Sequence, residues 1–372
     1  MSNPFDNFPN YYATLYSQTP DNQAILQATT EIHELKQQPG FAEYVLQLCV
    51  QSDNPSYQLF LLTQIVNQVK EYWENEGLYQ DKAQFRQMLL QIMYQTTGNI
   101  LANVAETIAL ICKSDYPAKR RNLMEELVSQ FNEAPFQKIY AILFTAAKIF
   151  KRFDFIGYSD PVNDEISKHT ECWQAPIITL LSETLVSVEP CEPLMDAFNF
   201  CFQIIKSLCA HGIPEYFNEN LPSLFQLFHS YMTFEIGESF KITLCEIMKM
   251  LIVRCLHEIK HWGQSNKEEE KKDPEQIQLL NQTWVQLYLD LFAIAAVGSS
   301  DSLVIAAFDA LNNLARSQDK GFFIEQGNLQ QFCTQVLIPC SGLSEEDIDL
   351  FATNRLEYFN KDIEGLEMET KR

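Results

Sequence analysis

The sequence has 372 residues, 46% of them hydrophobic, enough to bury a large core and too many for a chain disordered throughout. Its 27 Lys and Arg stand against 49 Asp and Glu, a net charge of −22. That balance argues against nucleic acid and anionic membrane as partners and for a basic protein reached by electrostatic steering, while a generic acidic soluble protein stays open on charge alone.

The elements follow one another as helices joined by short breaks, with no strand signal between them. Gln23–Gln37 reads as the first helix, closed by Pro39-Gly40. Tyr57–Trp73 comes next, with Leu59, Leu62, Ile65, Val66 and Val69 at helical spacing. Lys82–Tyr94 and Ile100–Lys113 make a second pair, broken at Gly98 and Pro117, and Arg121–Phe131 with Phe136–Phe153 a third. Tyr158–Thr170, rich in Asp and Ser, reads as a long loop. Further helices are predicted near Gln174–Val186, Leu194–Ala210, Leu221–Thr233, Phe240–Trp262, Glu275–Val297, Ser302–Ser317 and Leu329–Leu337. Between the fourth and fifth of these, Lys267–Glu275 is the densest charge run, a solvated loop or an acidic partner contact. The last stretch, Pro339–Gly365, carries an acidic loop, SEEDIDLF, and then an aromatic and charged cluster.

A helical pair recurs about every 40 to 50 residues, the period of HEAT-type repeats, in which each hairpin buries one apolar face against its neighbours. The fold class expected is all-α, a right-handed superhelical solenoid of about seven helical hairpins, with a compact helical bundle as the alternative.

The 10 cysteines are scattered without a CxxC pair, mostly among apolar residues where free Cys acts as a small hydrophobe. With no signal peptide, that usage reads as a reducing intracellular compartment. No apolar run reaches the ~20 residues of a membrane span.

One motif has the spacing of a metal site. His257-Glu258-Ile259-Lys260-His261 spells H-E-x-x-H, which on a helix puts two imidazoles on one face with Glu258 as general base. Lys260 between the ligands, a position at the end of its helix and the lack of any later His favour a surface pair instead. No phosphate-cradling GxxxxGK[ST], dinucleotide GxGxxG or nucleophile elbow is present. A binding scaffold without catalytic residues, metal or cofactor is therefore expected.

Several segments resemble the importin-β superfamily of nuclear transport receptors. Ala28–Phe41 (ATTEIHELKQQPGF) resembles that superfamily's first acidic helix and the QQPGF-like turn after it. Asn67 and Trp73 match its K-N-x-I-x-x-x-W helix, with Val66 where Lys is usual. Asp115-Tyr116-Pro117 resembles its acid–aromatic–proline turn, with Arg120 where a Trp usually follows.

Three more segments point within it to the exportin-2 type rather than the importin-7/8 type: Thr145–Phe153 (TAAKIFKRF), Ile213–Asn220 (IPEYFNEN) and Glu357–Gly365 (EYFNKDIEG, against E-Y-I-R-R-D-L-E-G). The resemblance implies a monomeric, shuttling receptor that binds Ran-GTP, exports importin-α from nucleus to cytoplasm and meets nucleoporin FG repeats at the pore. It implies Ran-binding repeats over residues 1–155 and further exportin-type repeats over 156–372. It also implies that the second helices of the early repeats meet Ran, which makes Gln64, Asn67, Glu106 and Lys148 candidate contacts. Glu345, Glu346 and Asp347 are further candidates, since Ran offers basic surface. On the same resemblance the chain is expected to be the N-terminal portion of a longer array, fraying after about Leu343.

Overall fold

The computed structural model describes residues 5–18, 21–115, 123–131, 134–187, 191–232, 237–262, 289–294, 301–315, 326–338 and 345–359. Among them there are helices and turns and no strand. The chain divides into two compact units, Met1–Asn220 and Leu221–Arg372.

The first unit is a succession of antiparallel hairpins. It begins with α1 (Phe8–Leu15) against α2 (Asn22–Leu35), followed by α3 (Phe41–Gln51) with α4 (Pro55–Tyr72) and α5 (Lys82–Gln95) with α6 (Gly98–Asp115). Next come α7 (Leu123–Ser129) with α8 (Phe136–Phe150), then α9 (Asp160–Ser187) with α10 (Glu192–Leu208), and the single turn α11 (Glu215–Glu219). The second helices stack in order, α4 on α6, α6 on α8 and α8 on α10, while α3 meets α5 and α7 meets α9 in a second layer.

Local chemistry sets the starts. Asp21, Asn54 and Asp81 cap α2, α4 and α5, each accepting backbone N–H groups of the first turn, and Pro55 occupies the first position of α4 where its missing N–H costs nothing. The turn between α2 and α3 needs Gly40, whose φ of +83° is left-handed; its N–H donates to the Leu78 carbonyl at 3.0 Å. The Glu43 carboxylate accepts from the Gln80 N–H at 2.7 Å, so the same turn is held from both sides.

Apolar periodicity sets the packing. α8 buries Ala141, Ile142, Leu143, Ala146, Ile149 and Phe150, and α10 buries Leu194, Phe198, Cys201, Phe202 and Ile205. Two buried polar groups bond across helices: the amide of Gln68 donates to the Lys36 carbonyl at the end of α2 (3.0 Å), and the Thr145 hydroxyl donates to the Met93 sulfur (3.0 Å). Burial pushes the Cys49 thiol up to about 11 and Cys245 up to about 12, so these cysteines sit protonated in the core as expected.

Within the second unit, α12 (Leu221–Met232) packs on α13 (Glu238–Trp262), and α13 on α14 (Asp301–Ala315). His229 pairs with Asp290 at 2.6 Å and Lys249 with Asp309 at 2.7 Å. α15 (Gln326–Phe332) runs into a π turn at Cys333–Leu337, and α16 is Glu345–Thr353.

Three expectations need correcting. Helices α1 and α3 precede and follow the helix read as the first. The Asp- and Ser-rich stretch Tyr158–Thr170 is not a long loop: α9 starts at Asp160 and passes through Pro176. Its polar residues are the solvent side of a helix whose other side buries Ile166, His169, Thr170 and Trp173. The acidic SEEDIDLF is likewise not a loop but lies largely in α16. Lys267–Glu275 lies outside the described residues.

Candidate partner-binding face

The second helices α4, α6, α8 and α10 each turn one side away from the first helices. On α4 this side carries Thr63, Gln64, Asn67 and Lys70, on α6 Asn103, Glu106 and Lys113, on α8 Phe136, Tyr140, Phe144 and Lys148, and on α10 Asp196, Phe200 and Gln203. Most of these residues recur at three- or four-residue steps, which keeps them on one side of each helix.

Of the four candidates in this unit, Gln64 and Asn67 lie half-buried, one turn apart on α4. Glu106 and Lys148 come together: Lys148 Nζ is 3.3 Å from Glu106 Oε2, bridging α6 to α8, and lies 5.4 Å above the Phe144 ring. Glu345, Glu346 and Asp347 fall in the first turn of α16, and their side chains lie outside the described residues. The side chains of His257, Glu258 and His261 also lie outside them, on the last turns of α13. Among the described residues no group of three or more His, Cys, Asp or Glu is placed to hold a metal ion.

The sequence reading missed an aromatic shelf on this face. Phe136, Tyr140 and Phe144 follow one another at four-residue steps along α8, with ring centroids 6.3 and 6.5 Å apart. Phe200 of α10 stands nearly perpendicular to Tyr140 and Phe144, at 5.5 and 5.2 Å. Tyr140 Oη donates to Asp196 Oδ2 at 3.4 Å. Partial burial, with Asp196 and Glu192 close by, raises the Tyr140 phenol above its ordinary value. The four-residue aromatic step is visible in the sequence within Phe136–Phe153.

Behind the face, ion pairs fix the hairpins. Arg86 pairs with Asp115, whose side chain is buried, and its guanidinium lies 5.6 Å from the Trp73 ring centre. Asp115 belongs to the acid–aromatic–proline turn; Tyr116, Pro117 and Arg120 lie outside the described residues. At the end of α8, Arg152 pairs with Glu165 of α9, and Glu165 lies 3.5 Å from His169 Nε2. Burial, and then the Arg152 charge, lower His169 to about 4, so the imidazole is neutral at physiological pH.

The profile of the importin-β N-terminal domain matches residues 28–95, and that of the family described as Cse1 matches residues 149–372. The chain is similar to exportin-2 of Xenopus laevis, 23% identical over 325 residues, which cover 82% of this chain and 32% of that protein. It is similar to the importin-alpha re-exporter of Schizosaccharomyces pombe (strain 972), 24% identical over 388 residues, covering 97% of this chain and 38% of that one. Among solved structures it resembles the exportin Cse1 in its cargo-free, cytoplasmic state, with a TM-score of 0.74 and 18% identity over 97% of this chain and 40% of that one. This likeness establishes the fold, the all-α HEAT-type array expected from the helix spacing. The match spans about a third of the length of these curated relatives.

Proposed function

This chain belongs to the Cse1 family, and from that premise we propose that it works as a nuclear transport receptor which binds Ran-GTP and carries importin-α from nucleus to cytoplasm. The observation that carries the reading is the order of the two matched profiles on one chain, importin-β N-terminal domain first and Cse1 after it. The fission-yeast relative is an importin-alpha re-exporter, and the cargo in this reading is taken from it.

In this reading the receptor does no chemistry of its own. The outward sides of α4, α6 and α8, within residues 1–155, receive Ran, with Gln64, Asn67, Glu106 and Lys148 as contacts; Glu345, Glu346 and Asp347 add acidic surface for Ran's basic side. The hairpins of 156–372 continue the array, and passage through the pore proceeds by contacts with nucleoporin FG repeats. Ran-GTP and cargo favour the same state of the receptor, so each raises the other's affinity, and hydrolysis of the nucleotide releases both.

The exposed Lys148–Glu106 pair suits such a contact. An ion pair at solvent holds itself together by only about 0–1 kcal/mol, so a partner's charges can replace it cheaply. The decisive experiment is retention of Ran on the immobilised chain in its two nucleotide states. Ran loaded with a non-hydrolysable GTP analogue should be retained and Ran-GDP should not; equal retention of both, or of neither, overturns the reading.

A further inference from the structure

The aromatic shelf lies on the outward side of α8, but none of its rings is among the residues assigned to Ran, and its chemistry is more specific than that of the polar ridge beside it. Phe136 is 40% exposed, and Tyr140, Phe144 and Phe200 are half-buried. At one end the structure displays what this surface does with a cation. The Lys148 ammonium lies 5.4 Å above the Phe144 ring and is held by the Glu106 carboxylate at 3.3 Å, an aromatic face and a carboxylate acting on one positive charge.

At the other end the same two components stand without a cation. The Tyr140 ring lies beside Asp196, and Glu192 is near enough to act on the Tyr140 phenol. Both carboxylates are exposed, and neither has an ionic partner among the described residues. Tyr140 and Phe200 meet at 76°, so their faces form two sides of a corner.

The geometry points to this corner, formed by Phe136, Tyr140 and Phe200 with Asp196 and Glu192, as a docking site for an arginine carried on a basic segment of a partner protein. A planar guanidinium can stack on one ring while donating to a carboxylate in the same plane, which a compact ammonium does less well. A phosphate-rich partner is disfavoured by the net charge of −22, which instead draws basic proteins toward the whole chain. The inference stands apart from Ran binding, and the test below contains no Ran, so the two can fail separately.

The probe is a fluorescein-labelled decapeptide of alternating arginine and leucine, titrated with the full chain and followed by fluorescence anisotropy. The double variant Glu192→Gln with Asp196→Asn is expected to weaken binding at least about tenfold. Tyr140→Leu keeps the apolar bulk, loses the π face and is expected to weaken binding about threefold to tenfold. Phe136→Leu serves the same purpose at the most exposed ring should Tyr140→Leu lose its helical circular dichroism. A lysine–leucine peptide should bind several-fold more weakly than the arginine peptide. The remote double variant Glu74→Gln with Glu76→Gln, two exposed acids away from the shelf, should stay within about twofold of the unaltered chain.

Equal weakening by the remote pair would mean diffuse charge attraction and overturns the proposal. So does unchanged binding in both Tyr140→Leu and Phe136→Leu. Light scattering that shows dimers of this chain, lost in the Glu192→Gln/Asp196→Asn variant, would assign the corner to a second copy and overturn it as well.

Discussion

At the junction of α8 and α9, Arg152 and Glu165 pair with each side chain only 12% exposed; on the outward face, Lys148 and Glu106 pair with 33% and 48% exposed. The two pairs involve the same kinds of charge and neighbouring helices, yet their consequences differ. A buried pair has given up its hydration, so removing one partner strands the other in a medium that cannot solvate it. A pair at solvent loses little when it opens. The junction therefore fixes how successive hairpins meet, while the face keeps charges that a partner can take over.

The largest test of this contrast is Arg152→Met. It leaves Glu165 without its cation beside Phe153 and His169 and is expected to destabilise the fold by about 3 kcal/mol, read from the urea midpoint. A loss under about 1 kcal/mol would place the junction pair in the same class as the exposed one.

Next comes pH. His169 is buried with its folded-state value lowered to about 4 from the ordinary 6.5. The unfolded chain then binds a proton between these values that the folded chain does not, so stability falls as pH drops from about 6.5 to about 4. At 1.4 kcal/mol per pH unit the loss amounts to about 3 kcal/mol at most. His169→Gln should flatten urea midpoints measured across this window, and an unchanged slope would show that other groups carry it.

The smallest effect on stability is expected from Glu106→Gln, under about 1 kcal/mol. Retention of Ran-GTP should nonetheless drop several-fold if the face is the contact surface. Loss of stability without loss of retention would reverse the roles assigned to the two regions.

Much of the helical order was legible because each second helix carries a clear apolar stripe. α4, α6, α8, α10, α12 and α13 lie within a few residues of the expected bounds. The failures have physical causes. α3 is short and follows directly on Pro39-Gly40, so the turn signal masked it, and α1 carries Pro9 and polar residues around only two buried aromatics. The first half of α9 shows its Asp and Ser residues outward, and composition alone cannot separate such a surface from a loop. At the candidate face, the family resemblance singled out Glu106 and Lys148 as polar residues on second helices, but their pairing joins residues 42 apart in sequence, a contact only packing can create. The four-residue step of Phe136, Tyr140 and Phe144 could have been read, whereas the closure of the shelf by Phe200 depends on α8 stacking against α10.

Trp73 and Trp173, two of the chain's four tryptophans, can serve as optical gauges, each read in a variant whose other three tryptophans are replaced by phenylalanine. Each indole is buried, Trp73 against Tyr79 near the start of α5 and Trp173 between Phe131 and Phe150 at the α8–α9 junction. They sit 100 residues apart in a chain whose hairpins touch mainly their neighbours, so their emission samples separate parts of the array. If the hairpins melt together, the two fluorescence signals change together. If the array opens from one side, one dims while the other still reports a dry, intact core.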